Sequence, residues 1–267
     1  MPKILLKTPI TYYGGKQRLC AKILRLIPEH TLYCEPFLGG AAVFFAKKPS
    51  RVEILNDTNR VLMNFYEVVK HDYASLEKEI KSTLHSRDLY EKASIIYNHP
   101  GLFDKVKLAW AVWVLSCQSF GSKFDTSWSI GRKSEWTAKN TINRRNRFTD
   151  EYALRLENVQ LECTDALYII SSRDSENSFF YCDPPYFNSD CGHYDGYSEA
   201  DFIALLETLS SIKGKFLLSS YPSDVLKEYI TKHGWRHQTI EQRSSVNNKT
   251  GKAGKKFEVL TSNYHSV

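Results

Sequence analysis

The chain is poor in the features that mark several protein classes. Its 267 residues include 2 Met, 9 Pro and 13 Gly, with no repeat and no low-complexity tract. Together with 42% hydrophobic and 25% charged residues, this excludes collagenous and disordered chains. No apolar run approaches the ~20 residues that cross a bilayer; the longest, around Leu108–Cys117, is interrupted. The opening MPKILLKTPI has an apolar stretch too short for a secretory signal. The six cysteines, Cys20, Cys34, Cys117, Cys163, Cys182 and Cys191, contain no CxxC pair and no ligand-like spacing with histidine. They read as free thiols in a reducing compartment, with neither a disulfide framework nor a zinc site. There is no GxGxxG and no Walker loop, which disfavours dinucleotide and triphosphate binding.

Charge is present but unevenly placed. The net +6 conceals two basic segments on a slightly acidic body. Residues 131–147 carry Arg132, Lys133, Lys139, Arg144, Arg145 and Arg147 against Glu135 alone; residues 243–256 carry Arg243, Lys249, Lys252, Lys255 and Lys256 with no acid. Local cation clusters of this kind suit a polyanion partner.

Periodicity divides the chain into an α/β body and an insert. Lys16–Ile27 has helical apolar spacing closed by Pro28, Thr31–Phe37 and Arg51–Leu55 read as short strands, and the small-residue run AAVFF between them reads as a helix. Thr58–Lys70, Asp72–Leu84, Arg87–Tyr97 and Leu102–Cys117 read as helices, followed at Gln118–Asn140 by a Ser-, Gly- and Trp-rich loop or hairpin. Strands return at Val159–Cys163, Ser178–Cys182 and Lys215–Ser219. Helices follow at Ser198–Leu209, with Ser198 and Asp201 at capping-box spacing, and after Pro222, capped by Ser223 and ended before Gly234. Trp235–Gln242 and Phe257–Asn263 read as two final strands around the second basic segment. The rhythm predicts one parallel α/β domain, residues 1–57 and 158–267, interrupted by a helical domain, residues 58–157, with a hairpin near 118–140.

The strongest chemical signal is Asp183-Pro184-Pro185-Tyr186 at the end of the strand SFFYC. Ligands of open parallel sheets bind beyond the carboxyl ends of the strands. Two prolines stiffen the turn, so a carboxylate, the Pro184 carbonyl and the Tyr186 ring project from one rigid segment. That set suits a planar ring with an exocyclic amine: Asp183 and Pro184 each accept one amine hydrogen and Tyr186 stacks on the ring. Accepting both hydrogens draws the nitrogen lone pair out of conjugation and makes the amine a nucleophile for a methyl group. The bland alternative is a rigid surface turn. Glu35-Pro36-Phe37-Leu38-Gly39-Gly40 ends an earlier strand with glycines that admit a ligand close to the backbone. Asp57 and Asp165 follow strand ends, where carboxylates accept ribose hydroxyls or cap helices. Tyr12-Tyr13-Gly14-Gly15-Lys16 places a glycine pair and a cation before the first helix, an anion-friendly arrangement or simply a solvated turn.

Taken together, TYYGGK, EPFLGG, ILNDTNRVLMNFY, FFYCDPPY and the tail KKFEVLTSNY, in this order, resemble the DNA adenine N6-methyltransferases of the Dam type. The likeness covers residues 8–66 and 159–264. It implies a Rossmann-like class I methyltransferase sheet, mostly parallel with one reversed strand, and a helical target-recognition insert. It also implies transfer of a methyl group from S-adenosylmethionine to N6 of an adenine flipped out of double-stranded DNA. On the family pattern, Tyr12, Lys16, Glu35, Phe37, Gly39, Asp57, Asp165 and Asp183 contact the cofactor, while Asp183, Pro184, Pro185 and Tyr186 form the catalytic motif. DNA contacts are expected from Arg132, Lys133, Lys139, Arg144, Arg145, Arg147, Lys249 and Lys252. Arg132 is the candidate for reading a guanine edge, with a phosphate contact as its alternative. No metal is expected, because a sulfonium methyl is already activated.

The resemblance further implies a bacterial or phage-infected cytoplasm, a restriction-modification setting, no membrane partner, and a monomer in solution with one or more copies on DNA. GATC-reading members carry an Asn-Val-Pro-Phe-Gly stretch where this chain has FDTSWSIGRK, so no target sequence is assigned. A DPPY turn alone also suits an RNA or protein amino-group methyltransferase, and the basic segments alone suit a DNA-binding relative that has lost catalysis.

Overall fold

A computed structural model describes residues 5–122, 124, 126–130, 136–188, 196–246 and 253–265. In chain order the elements are α1 (Cys20–Leu26), β1 (Leu32–Glu35), α2 (Ala42–Ala46), β2 (Val52–Asn56), α3 (Arg60–His71), α4 (Tyr73–Ser82), α5 (Arg87–Asn98), α6 (Lys105–Gln118) and α7 (Trp136–Arg147). They continue as α8 (Glu151–Leu156), β3 (Val159–Glu162), α9 (Ala166–Ser172), β4 (Ser178–Cys182), α10 (Glu199–Ser211), β5 (Lys215–Ser220), α11 (Asp224–His233), β6 (Arg236–Val246) and β7 (Ala253–Ser262).

The seven strands form one sheet in the order β3-β2-β1-β4-β5-β7-β6. β4 pairs parallel with β1, Cys34 opposite Phe180, and parallel with β5, Cys182 opposite Leu218. β7 runs antiparallel to both β5 and β6, so it is the one reversed strand the sequence reading expects. All five residues of β4 are buried, which is why SFFYC reads as a continuous apolar run rather than an alternating one.

By internal contacts the chain divides into two compact units. One comprises Leu26–Phe37, Ser50–Ile54 and Thr164–Val267. Its core joins Cys34, Phe180, Cys182, Phe216 and Leu218 from strands to Phe202, Leu205, Leu206 and Leu209 of α10. The i, i+3, i+4, i+7 spacing lays one face of α10 on the sheet, and each large apolar side chain so buried contributes about 1.5–3 kcal/mol. Ser198 and Asp201 form the expected reciprocal capping box. Ser223 caps α11 through the Leu226 amide, and Gly234 ends that helix at φ +64°.

The other unit comprises Met1–Arg25, Leu38–Pro49 and Leu55–Cys163. Its central helix is α6, buried on every side from Leu108 to Ser116 and packed against α3, α4, α5 and α7. After α6 the chain turns back on itself: Phe120 N–H donates to the Ser127 carbonyl and Ser129 N–H to that of Gln118, both at 2.8 Å. The expected hairpin therefore has its base at residues 118–129.

Two expectations need correction. Residues 136–140, read as loop, begin α7. The segment TAKNTINRRN lacks an apolar period, and instead polar contacts fasten it: Thr141 is buried, Arg144 Nη1 donates to the Ser116 carbonyl at 3.0 Å and Arg145 Nη1 to that of Thr83 at 3.3 Å. The final strands are also longer than their apolar cores. β6 and β7 remain paired through Arg243 and Lys255 to Val246 and Ala253, so much of the second basic segment lies on a two-stranded ribbon rather than between strands. Such a ribbon satisfies its backbone mutually and needs no apolar alternation. α8 and α9, of 6 and 7 residues, went unread because they are too short to display a period.

Candidate functional site

In the unit containing β4, the chemistry gathers at strand ends. Asp183 follows β4 directly, and the next two residues are prolines. Among the described residues nothing donates to the Pro184 carbonyl. Tyr186 curls back so that its hydroxyl lies 3.1 Å from Asp183 Oδ1, 2.8 Å from Glu258 Oε1 and 3.2 Å from Ser219 Oγ. Ser219 Oγ in turn donates to Glu258 Oε1. Ser219 sits near the end of β5 and Glu258 on β7, so three strands converge on one phenol. Burial, with the Asp183 and Glu258 charges behind it, pushes the Tyr186 hydroxyl well above its ordinary value, and it therefore stays a hydrogen donor. The Tyr221 ring lies 4.4 Å from that of Tyr186, tilted by 58°, and Lys256 Nζ is 3.4 Å from the Tyr221 hydroxyl.

Glu35, at the end of β1, is 2% exposed. Its Oε1 accepts a 2.6 Å hydrogen bond from the Tyr33 hydroxyl, which burial and the Glu35 charge drive far above its usual pKa. Phe37 is partly buried against the sheet core. Asp165 is the N-cap of α9, its Oδ1 accepting from the Tyr168 amide at 2.8 Å.

In the other unit, a turn and a glycine loop meet around Tyr12. Asp57 Oδ2 accepts from Gly39 N–H and its Oδ1 from Asn59 N–H, each at 2.9 Å. Desolvation raises the Asp57 pKa, partly offset by those two amides. The Tyr66 hydroxyl donates to the Gly39 carbonyl at 2.8 Å. Gly39 has φ +48°, and a Cβ there would lie 3.2 Å from Tyr12 Cδ1. A Cβ on Gly15 would meet the Tyr12 carbonyl at 2.9 Å. Glycine is thus required twice, once for conformation and once for close approach. Lys16 is buried and its Nζ reaches the Gly14 carbonyl at 3.0 Å.

The insert also closes on Tyr12. Phe124 meets Tyr12 and Tyr97 edge-on, both at 5.4 Å, and Asn59 Nδ2 donates to the Tyr97 hydroxyl at 3.0 Å.

Of the expected DNA contacts, Lys139, Arg144, Arg145 and Arg147 lie on α7. Arg147 is exposed and its Nε bonds the Asn143 carbonyl of its own helix. Arg132, Lys133, Lys249 and Lys252 lie outside the described residues. Below α7, Gln118 fastens the hairpin to the α4–α5 loop: its Oε1 accepts from Ser86 N–H at 3.1 Å and from Trp128 Nε1 at 3.2 Å, and its Nε2 donates to the Leu84 carbonyl at 2.9 Å. Among the described residues no group of three or more His, Cys, Asp or Glu could hold a metal, and no helix is long and apolar enough to cross a membrane.

Sequence reasoning missed Glu258, Ser219, Asn59, Tyr97 and Gln118. Glu258 carried the one usable signal, a carboxylate beside an apolar run on a strand of the final hairpin.

Comparison with known proteins agrees with this chemistry. Residues 12–248 match the family described as D12 class N6 adenine-specific DNA methyltransferase. The Type II methyltransferase M.FokI of Planomicrobium okeanokoites is 25% identical over 97% of this chain, which spans 43% of that protein. M1.LlaDCHI of Lactococcus lactis subsp. cremoris is 25% identical over 98% of the chain and 97% of its own length. The DNA N-6-adenine-methyltransferase of Escherichia phage P1 is 25% identical over 92% of the chain, which spans 34% of it.

Proposed function

The chain belongs to the D12 class N6 adenine-specific DNA methyltransferases, and from that premise we propose that it transfers a methyl group from S-adenosylmethionine to N6 of adenine in double-stranded DNA. The observation that carries this reading is the Asp183–Tyr186 turn. Its Pro184 carbonyl has no donor among the described residues. Such a turn offers a carboxylate and a carbonyl to the two hydrogens of a flipped adenine amine, with the Tyr186 ring as its stacking surface. Accepting both hydrogens localises the N6 lone pair and positions it for displacement, a catalysis of orientation and electrostatics.

The residues present fit the cofactor. Glu35 is a buried carboxylate at the end of β1, and Gly39 and Gly15 bring their backbone close against Tyr12, where a Cβ would press on the Tyr12 ring or carbonyl. When bound, S-adenosylmethionine supplies an activated methyl group. We assign its contacts to Tyr12, Lys16, Glu35, Phe37, Gly39, Asp57 and Asp183. Asp57 also ties the glycine loop, and Asp165 combines any such contact with capping α9. Residues 58–157 are read as the target-recognition domain, with Lys139, Arg144, Arg145 and Arg147 of α7 and the basic residues Arg132, Lys133, Lys249 and Lys252 neutralising phosphates. The bacterial and phage sources of the relatives support a cytoplasmic, restriction-modification role.

The test is transfer of labelled methyl from S-adenosylmethionine to unmethylated duplex DNA, with RNA and protein as competing acceptors. Label recovered as N6-methyladenine in DNA is expected. Label confined to RNA or protein, or DNA binding with no transfer, overturns the reading. Sequencing the methylated sites then gives the target sequence.

A further inference from the structure

Beside the Asp183 turn, in the same compact unit, a tyrosine and a lysine outside the catalytic motif stand together. Tyr221 follows β5 directly, and its ring lies 4.4 Å from that of Tyr186, tilted by 58°. Lys256 is an exposed residue of β7. Its Nζ donates to the Tyr221 hydroxyl at 3.4 Å and lies 5.9 Å from the centre of the same ring. Hydroxyl and ring attract an ammonium, but both are uncharged and neither neutralises it.

Strand register gives this cation its place. Val259 of β7 stands opposite Ser220, the last residue of β5, so Lys256 lies beyond the carboxyl end of β5, on the side where sheets of this kind take ligands. Glu258, two residues after Lys256, meets the Tyr186 hydroxyl at 2.8 Å. Residues two apart share one face of a strand at a spacing of about 7 Å. Lys256 is therefore one step further out on the face of β7 that meets Tyr186. An adenine with its amine at Asp183 and Pro184 carries its sugar at the opposite end of the ring system. The ammonium, set back from that amine by one aromatic ring, suits the sugar-phosphate of such a base.

We propose that Lys256 binds a phosphate flanking the flipped adenine, with Tyr221 as the positioning residue that holds its ammonium there. This rests on the methyl-transfer reading above. Extruding a base costs a few kcal/mol, and a phosphate contact made only in the extruded state offsets part of that cost.

The test uses a duplex bearing the site that the chain methylates, and measures single-turnover transfer at saturating DNA, where a loss of general attraction no longer slows the reaction. Lys256→Met keeps the stem and removes the charge. Its rate should fall by roughly tenfold, with the melting temperature and the S-adenosylmethionine affinity, read by equilibrium dialysis, unaltered. An uncharged methylphosphonate at one of the two phosphates flanking the target adenine should slow the wild type by a similar factor. It should cost Lys256→Met nothing further, because both changes remove one contact. Tyr221→Phe, which keeps the ring and releases the ammonium, should lose about threefold alone and nothing in the Lys256→Met background. A wild-type rate in Lys256→Met overturns the proposal, as do losses that multiply with the methylphosphonate at both phosphates. A wild-type chain that transfers no methyl to DNA would instead sink the functional reading itself, so the two failures are distinct.

Discussion

Asp57 and Asp183 each stand one residue beyond a strand of the same sheet, yet their surroundings make them different groups. Asp57 is followed by a chain that turns into α3, and the amide two residues on, Asn59 N–H, bonds one of its oxygens while Gly39 N–H bonds the other. Asp183 is followed by Pro184 and Pro185, neither of which has an N–H to give. The residue two positions on supplies an amide to the first carboxylate and has none to supply to the second. A strand-end aspartate can draw on the amide two residues on only where that residue is not proline.

The most severe way to probe the contrast is to neutralise each carboxylate. Asp183→Asn should lower methyl transfer by about a thousandfold with little change in melting temperature. Asp57→Ala should do the opposite in kind: the Gly39 and Asn59 amides lose their acceptor, and unfolding free energy from denaturant titration should fall by about 2–4 kcal/mol, with cofactor affinity falling alongside. A large stability loss in the first variant or none in the second would erase the distinction. Restoring a donor sharpens it further: Pro185→Ala gives Asp183 an amide at the position Asn59 occupies for Asp57, and kcat should drop by roughly tenfold without a matching change in KM for the cofactor.

Acidity gives a smaller signal. Burial raises the folded-state pKa of Asp57 above its ordinary 3.8, so the folded chain holds that proton more tightly than the unfolded one. The stability contributed by the protonated carboxyl is fully present below 3.8 and is lost as pH rises through the folded value. The melting-temperature advantage of wild type over Asp57→Asn should therefore shrink as pH rises above 3.8 through the folded value; an advantage that grows would contradict it. The arginines of α7 differ in how far they are tied into the packing. Arg144 is bonded to the Ser116 carbonyl, whereas Arg147 is exposed and bonded within its own helix. Arg147→Ala should reduce the salt slope of DNA binding by about one, measured by titration at several salt concentrations, and leave the melting temperature unaltered, while Arg144→Ala lowers it.

How much of this was legible in the sequence follows from where each signal resides. The Asp183 turn and the glycine loop are local: their chemistry lies in consecutive residues, so the motif alone gave both composition and placement. Ser198, Ser223 and Gly234 were legible for the same reason, since a cap is a relation between neighbours. Glu258 was not, because its role depends on β7 lying against β5 in a register that brings it beside Ser219 and Tyr186. Gln118 and Arg144 act through bonds to carbonyls distant in sequence, and such acceptors leave no trace in composition. The same holds for the outer half of the β6–β7 ribbon, whose residues are paired by backbone alone.

One consequence of the sheet order concerns how the chain is made. β1 is an interior strand, and the edge it offers to β4 pairs Leu32 with Ser178. During synthesis at about 5–20 residues per second, that edge emerges roughly ten seconds before its partner exists. For that interval a strand whose Tyr33 and Cys34 belong in the core stands open to any other extended chain, while the helices after Thr58 can already collapse around α6. Nascent-chain aggregation should therefore respond more to substitutions in β1 than to equally apolar ones in β5, which has β4 made before it and waits far less long for β7.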